Sequence, residues 1–164
     1  MRDSSISREL SRLVEGRVCV LGVGNRQRRD DGCGSLIAEY LAEQTAMMAI
    51  DAGVVPENYL EKIARLEPDT VLIVDAVDFG GAPGEFRILE PEQVKHAGLS
   101  THALSLRMAA DFLFARTKAS VAFVSIQPAD LGDGVGLSAE VAHAVHSIQS
   151  LLVAVCGKQE ERKN

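Results

Sequence analysis

Short β-branched apolar runs alternate along the chain with segments whose apolar residues recur at helical spacing, the pattern of an α/β domain. RVCVLGV (17–23), AMMAIDAG (46–53), TVLIVDAV (70–77), EFRIL (85–89) and VAFVSIQP (121–128) read as strands. Helices are expected over 33–44, with Leu36, Ile37, Tyr40 and Leu41 on one face, and over 56–68, opened by Pro56 with Leu60, Ile63 and Leu66 inward. Two more are expected, one beginning near His102 and one over 138–156 with Ser138 as N-cap. The unbroken VLIV run in 70–77 marks a strand covered on both faces, hence central in the sheet. Only DFGGAPG separates it from EFRIL, whereas a parallel crossover takes about a dozen residues or more, so EFRIL should pair antiparallel at an edge. The expected fold is α/β: a three-layer sandwich whose five-stranded, mostly parallel sheet has one antiparallel strand and helices on both faces. Functional groups should gather at the carboxyl ends of the parallel strands.

The 164 residues, 46% hydrophobic and 24% charged, suit one α/β domain over 17–156, with an N-terminal helix or flexible arm at 1–16 and a solvated tail at 157–164. A mean hydropathy of +0.06, with no apolar run of about 18 residues, argues against membrane insertion. Lys and Arg number 17 against 23 Asp and Glu, giving a net charge of −6. With no basic stripe, that balance argues against nucleic-acid binding, which depends on cations meeting phosphates. The charged N-terminus lacks the apolar core of a secretory signal, and Cys19, Cys33 and Cys156 have no CxxC spacing. Both features point to a reducing cytoplasm.

Three polar stretches fall at strand ends or helix starts: GVGNRQRRDDGCG (22–34), VDAVDFG (74–80) and LSTHALS (99–105). They carry Asp30 and Asp31, Asp75 and Asp78, and His102. Carboxylates with an imidazole suit nickel or zinc, and equally acid/base chemistry on a peptide bond. Each has a plainer reading. Gly22 and Gly24 resemble the start of a dinucleotide-binding loop but lack its third glycine, and Asn25 can close a turn on its own backbone. One aspartate suffices to cap a helix, so Asp30 is assigned the capping or loop role and Asp31 is left as the candidate ligand. Asp75 ends a buried strand, where a carboxylate must be paired, hydrogen-bonded or metal-bound. Asp78 reads as a turn former, and His102 opens a helix whose N-terminus would keep its imidazole neutral, as a ligand must be. His143 and His146 fit a partly exposed helix face, and Cys33 a small buried residue. The chain has no G-x-S-x-G, P-loop or H-E-x-x-H motif.

On these residues the chain resembles the hydrogenase maturation endopeptidases, which trim the C-terminal extension of [NiFe] hydrogenase large subunits. GVGNRQRRDDGCG, DAGVVPENYLEKI, VLIVDAVDFGGAPGEFRIL, STHAL and SIQPADLGDGVGLS occur in the family's order and spacing between Arg17 and about Val155. PEN at 56–58, APGE at 82–85 and IQP at 126–128 are similar to the subgroup serving formate-hydrogenlyase-type hydrogenases, hydrogenase 3. The segment before Arg17 and the basic residues Arg26, Arg28 and Arg29 depart from the usual family pattern. The resemblance implies a nickel-dependent endopeptidase of aspartic type with Asp31, Asp75 and His102 as its catalytic and metal-binding groups. It further implies Gly24, Asn25 and Asp30 as substrate-binding residues, and a large-subunit precursor as partner that itself supplies the nickel. The enzyme is expected to act as a cytoplasmic monomer. A non-enzymatic nickel-binding or delivery module for hydrogenase assembly would use the same residues without cutting anything.

Overall fold

Every residue of Thr70–Ala76 is buried, which makes this strand, β3, the floor of the molecule. The computed structural model describes residues 2–97 and 103–161. Around β3 stand β1 (Val18–Gly22), β2 (Met48–Asp51), β4 (Phe86–Leu89) and β5 (Ser120–Ile126), in the order β2-β1-β3-β5-β4. β1 runs parallel to β2 and β3, and β5 parallel to β3. β4 pairs antiparallel with β5 at the edge, as the short β3–β4 connection requires.

The helices are α1 (Arg2–Leu13), α2 (Cys33–Gln44), α3 (Leu60–Arg65), α4 (Pro91–Ala97), α5 (Ala103–Thr117) and α6 (Ala139–Glu161). Alternate residues of each strand face opposite layers. Val20, Leu72, Val74 and Val124 pack with Leu10 of α1, Ile37 and Leu41 of α2 and Ile148 of α6. Cys19, Leu21, Ile73 and Phe123 pack with Ile63 of α3, Val94 of α4 and Leu106 and Leu113 of α5. Because α2 and α3 lie on opposite faces, the chain leaves β1 in one direction and enters β3 in the other. The β1–β3 seam is therefore the switch point at which α/β sheets open a crevice.

The structure departs from the periodicity at several places. α4 was not expected, and 56–68 resolves into a 3₁₀ turn, Pro56–Tyr59, followed by α3. On α2 the buried side is Ile37, Ala38 and Leu41, while Tyr40 is exposed. Of the two forms expected for the N-terminal segment it takes the helical one, with Leu10 and Val14 buried, whereas α6 continues to Glu161 where a solvated tail was expected. Ala139–Gly157 is apolar and long enough to cross a membrane, yet its Val141, Ala144, Ile148 and Leu152 are buried in the core.

Candidate functional site

At the carboxyl ends of β1 and β3, the N–H of Val23 donates to the Val74 carbonyl at 2.9 Å and that of Gly24 to the Gly53 carbonyl at 2.8 Å. Gly24 has φ +153°, and a Cβ there would collide with the Asp31 carbonyl, so only glycine lets the loop fold back. Asn25 closes the turn as its residue type suggests: its Oδ1 accepts from the Gln27 N–H at 2.9 Å. The returning chain delivers Asp31, 5% exposed, whose Oδ2 accepts from the Asn25 N–H at 3.0 Å.

Asp30 is fully buried. Its Oδ2 accepts from the N–H groups of Ala129 and Asp130 and from the Ser138 hydroxyl, each at 2.9 Å. Its Oδ1 accepts from the Ser138 N–H at 2.7 Å. Burial alone would raise its pKa, but these donors outweigh it and hold the carboxyl below its usual range. The side chain thus takes the loop role rather than the capping one, since the N-cap position of α2 is Gly32 and has no side-chain cap. Arg29 N–H to the Gly134 carbonyl and Gly134 N–H to the Gln27 carbonyl stitch the same two loops together.

Asp75, 1% exposed, is the last residue but one of β3, in register with Ser125 of β5. The Cys33 thiol, in the first turn of α2, reports what surrounds it. Burial pushes its pKa well up, and the charges of Asp75, Asp30 and Asp31 push it further. Cys33 is therefore a protonated, inert thiol within electrostatic reach of the three carboxylates. The helix can come so close because a Cβ on Gly34 would strike the carbonyls of Val74 and Val23.

The remaining candidates fall outside this cluster. Asp78 is exposed and forms a turn, its Oδ1 accepting from the Gly80 N–H at 3.1 Å. The amide of Gln127, then that N–H, hold its carboxyl below the usual range. Gln127 is the residue that sequence reasoning missed, although it lies in the IQP motif. Nearly buried, it accepts from the N–H groups of Phe79 and Gly81 and donates to Asp78, fastening the β3–β4 loop to the end of β5. Of the basic residues, Arg26 is bound to Ser35, Glu39 and Asp51, Arg28 to the Leu131 carbonyl and Arg29 to Asp130. His143 and His146 are exposed on α6. His102 lies outside the described residues, and among the described residues no three His, Cys, Asp or Glu are grouped to hold a metal ion. A cavity of about 640 Å³ lined by Ala64, Arg65, Asp69 and Arg116 sits at the opposite, amino end of β3, away from the carboxylates.

Two buried carboxylates, Asp31 on the loop after β1 and Asp75 in β3, beside the crevice of a parallel sheet, can share a cation or take a proton from water. Residues 33–155 match the family model HycI, hydrogenase maturation protease. The chain is 35% identical over 136 residues to the hydrogenase 3 maturation protease of Escherichia coli strain K12, covering 81% of this chain and 86% of that one. Its fold superposes with a TM-score of 0.81 on the [NiFe] hydrogenase maturation protease HycI from Thermococcus kodakarensis, at 33% identity over 90% of this chain and 97% of the other. The hydrogenase maturating endopeptidase HybD from Escherichia coli superposes with a TM-score of 0.71 at 28% identity, covering 87% and 94%. With well over half its length under one family model and the sheet shared throughout, the chain belongs to the hydrogenase maturation proteases.

Proposed function

We propose that the protein is an endopeptidase that removes the C-terminal extension of a [NiFe] hydrogenase large-subunit precursor after nickel insertion, acting as a cytoplasmic monomer. The observation that carries this reading is that the loop after β1 folds back to bring the buried Asp31 to that strand's end, beside β3, which carries the buried Asp75. The nickel belongs to the precursor. Soft cysteine thiolates on the substrate side and the harder oxygens of Asp31 and Asp75, with the imidazole of His102, would complete its coordination. Only a metallated precursor would then be held for cutting.

For the hydrolytic step, one carboxylate accepts a proton as water adds to the scissile carbonyl, and that proton passes to the departing amide nitrogen. The backbone of Gly24 and Asn25 forms the lip of the crevice, where a peptide would lie. Asp30 serves the substrate through the loop it braces, since its own oxygens face Ala129, Asp130 and Ser138.

The test is the intact mass of a large-subunit precursor, with and without nickel, after incubation with the protein and its variants. Loss of a C-terminal peptide from the nickel-loaded form alone is expected. Asp31→Asn and His102→Ala should each lower the rate by about 100-fold or more while leaving thermal stability nearly unchanged. Full cleavage by either variant would overturn the assignment of these residues. Nickel-dependent association without cleavage would instead favour the delivery-module reading.

A further inference from the structure

Beside Asp75 lies a second polar group that neither the fold nor the proposed chemistry has used. Ser125 is 1% exposed, and its Oγ has no hydrogen-bond partner among the described residues. A hydroxyl buried in this way has given up water with no compensating bond among the described residues, a cost that folded chains rarely retain without use. Its place is defined by register: Asp75 pairs with Ser125 and Ser125 with Arg87. Paired residues share a face of the sheet, and below them on that face lie Ile73 and Phe123.

Asp75, Ser125 and Arg87 therefore form a polar row crossing the sheet from its centre to the edge strand. Neighbouring strands lie about 4.8 Å apart, so the row spans about 10 Å, the length of about three residues of extended peptide. Arg87 is already engaged, paired with Glu85 at 2.9 Å and stacked over Phe79 with its guanidinium 4.3 Å from the ring centre. Ser125 is the member of the row whose donor is left over.

We propose that Ser125 is a substrate-positioning residue whose hydroxyl donates a hydrogen bond to a backbone carbonyl of the precursor peptide, within a residue or two of the bond cut beside Asp75. This rests on the endopeptidase reading above. A parallel row of strand ends offers an incoming peptide few donors of its own, and a hydroxyl one strand away from the carboxylate fixes how far along the peptide the cut falls.

The experiment compares the unaltered protein with Ser125→Ala and Ser125→Thr, measuring thermal unfolding, kcat and KM on nickel-loaded precursor, and the mass of the released peptide. Ser125→Ala removes a buried hydroxyl that has no partner among the described residues, so its unfolding temperature should stay level or rise. Its kcat/KM should fall by about tenfold, the size expected when a substrate hydrogen bond is lost. Ser125→Thr keeps the hydroxyl and should retain more activity than Ser125→Ala. An unchanged kcat/KM in Ser125→Ala, with the unaltered protein fully active, overturns the role of Ser125 and leaves the endopeptidase reading standing. A drop in unfolding temperature that accounts for the lost activity also overturns it, because the hydroxyl would then be structural. Failure of the unaltered protein to cut removes both.

Discussion

Replacing Asp30 by alanine would leave three backbone N–H groups and the Ser138 hydroxyl without their acceptor. Asp30 itself is buried while Ala129 and Asp130 are exposed, so water recovers only part of what the carboxylate supplied. The expected loss is about 3 kcal/mol in urea unfolding, with cleavage falling as the two loops part. Asp31→Asn should behave in the opposite way, with activity lost and stability kept, although the two residues are neighbours. Asp31 touches its own loop through the Asn25 N–H, whereas Asp30 ties that loop to residues about a hundred positions away. This distinction is only half legible in the sequence. Two adjacent aspartates before a helix announce that one is spare for capping, but the partners of Asp30 follow β5 and are brought near by the sheet alone. Gln127 and Ser125 escape for the same reason: a residue near the end of a strand shows its use only when its neighbours in register are known.

Gly34 shows how an element is positioned to make the site. Alanine is the better helix former by about 1 kcal/mol, so propensity alone would predict that Gly34→Ala stabilises α2. The new Cβ would, however, meet the carbonyls of Val74 in β3 and of Val23 just past β1, main chain that is itself hydrogen-bonded and has nowhere to go. Overpacking of this kind costs more than the propensity gain, and a net loss of about 2 kcal/mol or more is expected from thermal unfolding. A variant as stable as the parent would mean that α2 does not lie against the strand ends. Periodicity suffices for the five strands and the antiparallel edge, because a continuous VLIV run and a short connection leave one arrangement. It does not suffice for α4, whose seven residues are too few for helical spacing to stand out and whose buried apolar anchor among the described side chains is Val94. Nor does it separate Tyr40 from Ala38: a large apolar ring suggests burial, but the close approach of α2 to the sheet favours the small residue inward.

For the molecule as a whole, α1 decides whether the N-terminal segment is an appendage or part of the fold. Its Leu10 is fully buried in the same layer as α2 and α6, and Val14 continues the contact. The segment after it is tied down at the amino end of β3. The Glu15 N–H donates to the Thr70 hydroxyl at 3.0 Å, and that hydroxyl donates to the Glu15 carbonyl at 2.9 Å. Beside them the Arg17 N–H donates to Asp69 at 2.6 Å. These anchors lie at the end of the sheet opposite to Asp31 and Asp75. Leu10→Ala should therefore cost about 2–4 kcal/mol, as truncation of a buried leucine does, while the cleavage rate at a temperature where the variant remains folded stays within about twofold of the parent. Combined with Asp31→Asn, the two effects should add, since the sites share no partner. A cost under about 1 kcal/mol would make α1 a passenger on the sandwich. A loss of cleavage in the folded variant would mean instead that the N-terminal layer couples to the crevice through β3, whose two ends carry the Thr70 anchor and Asp75.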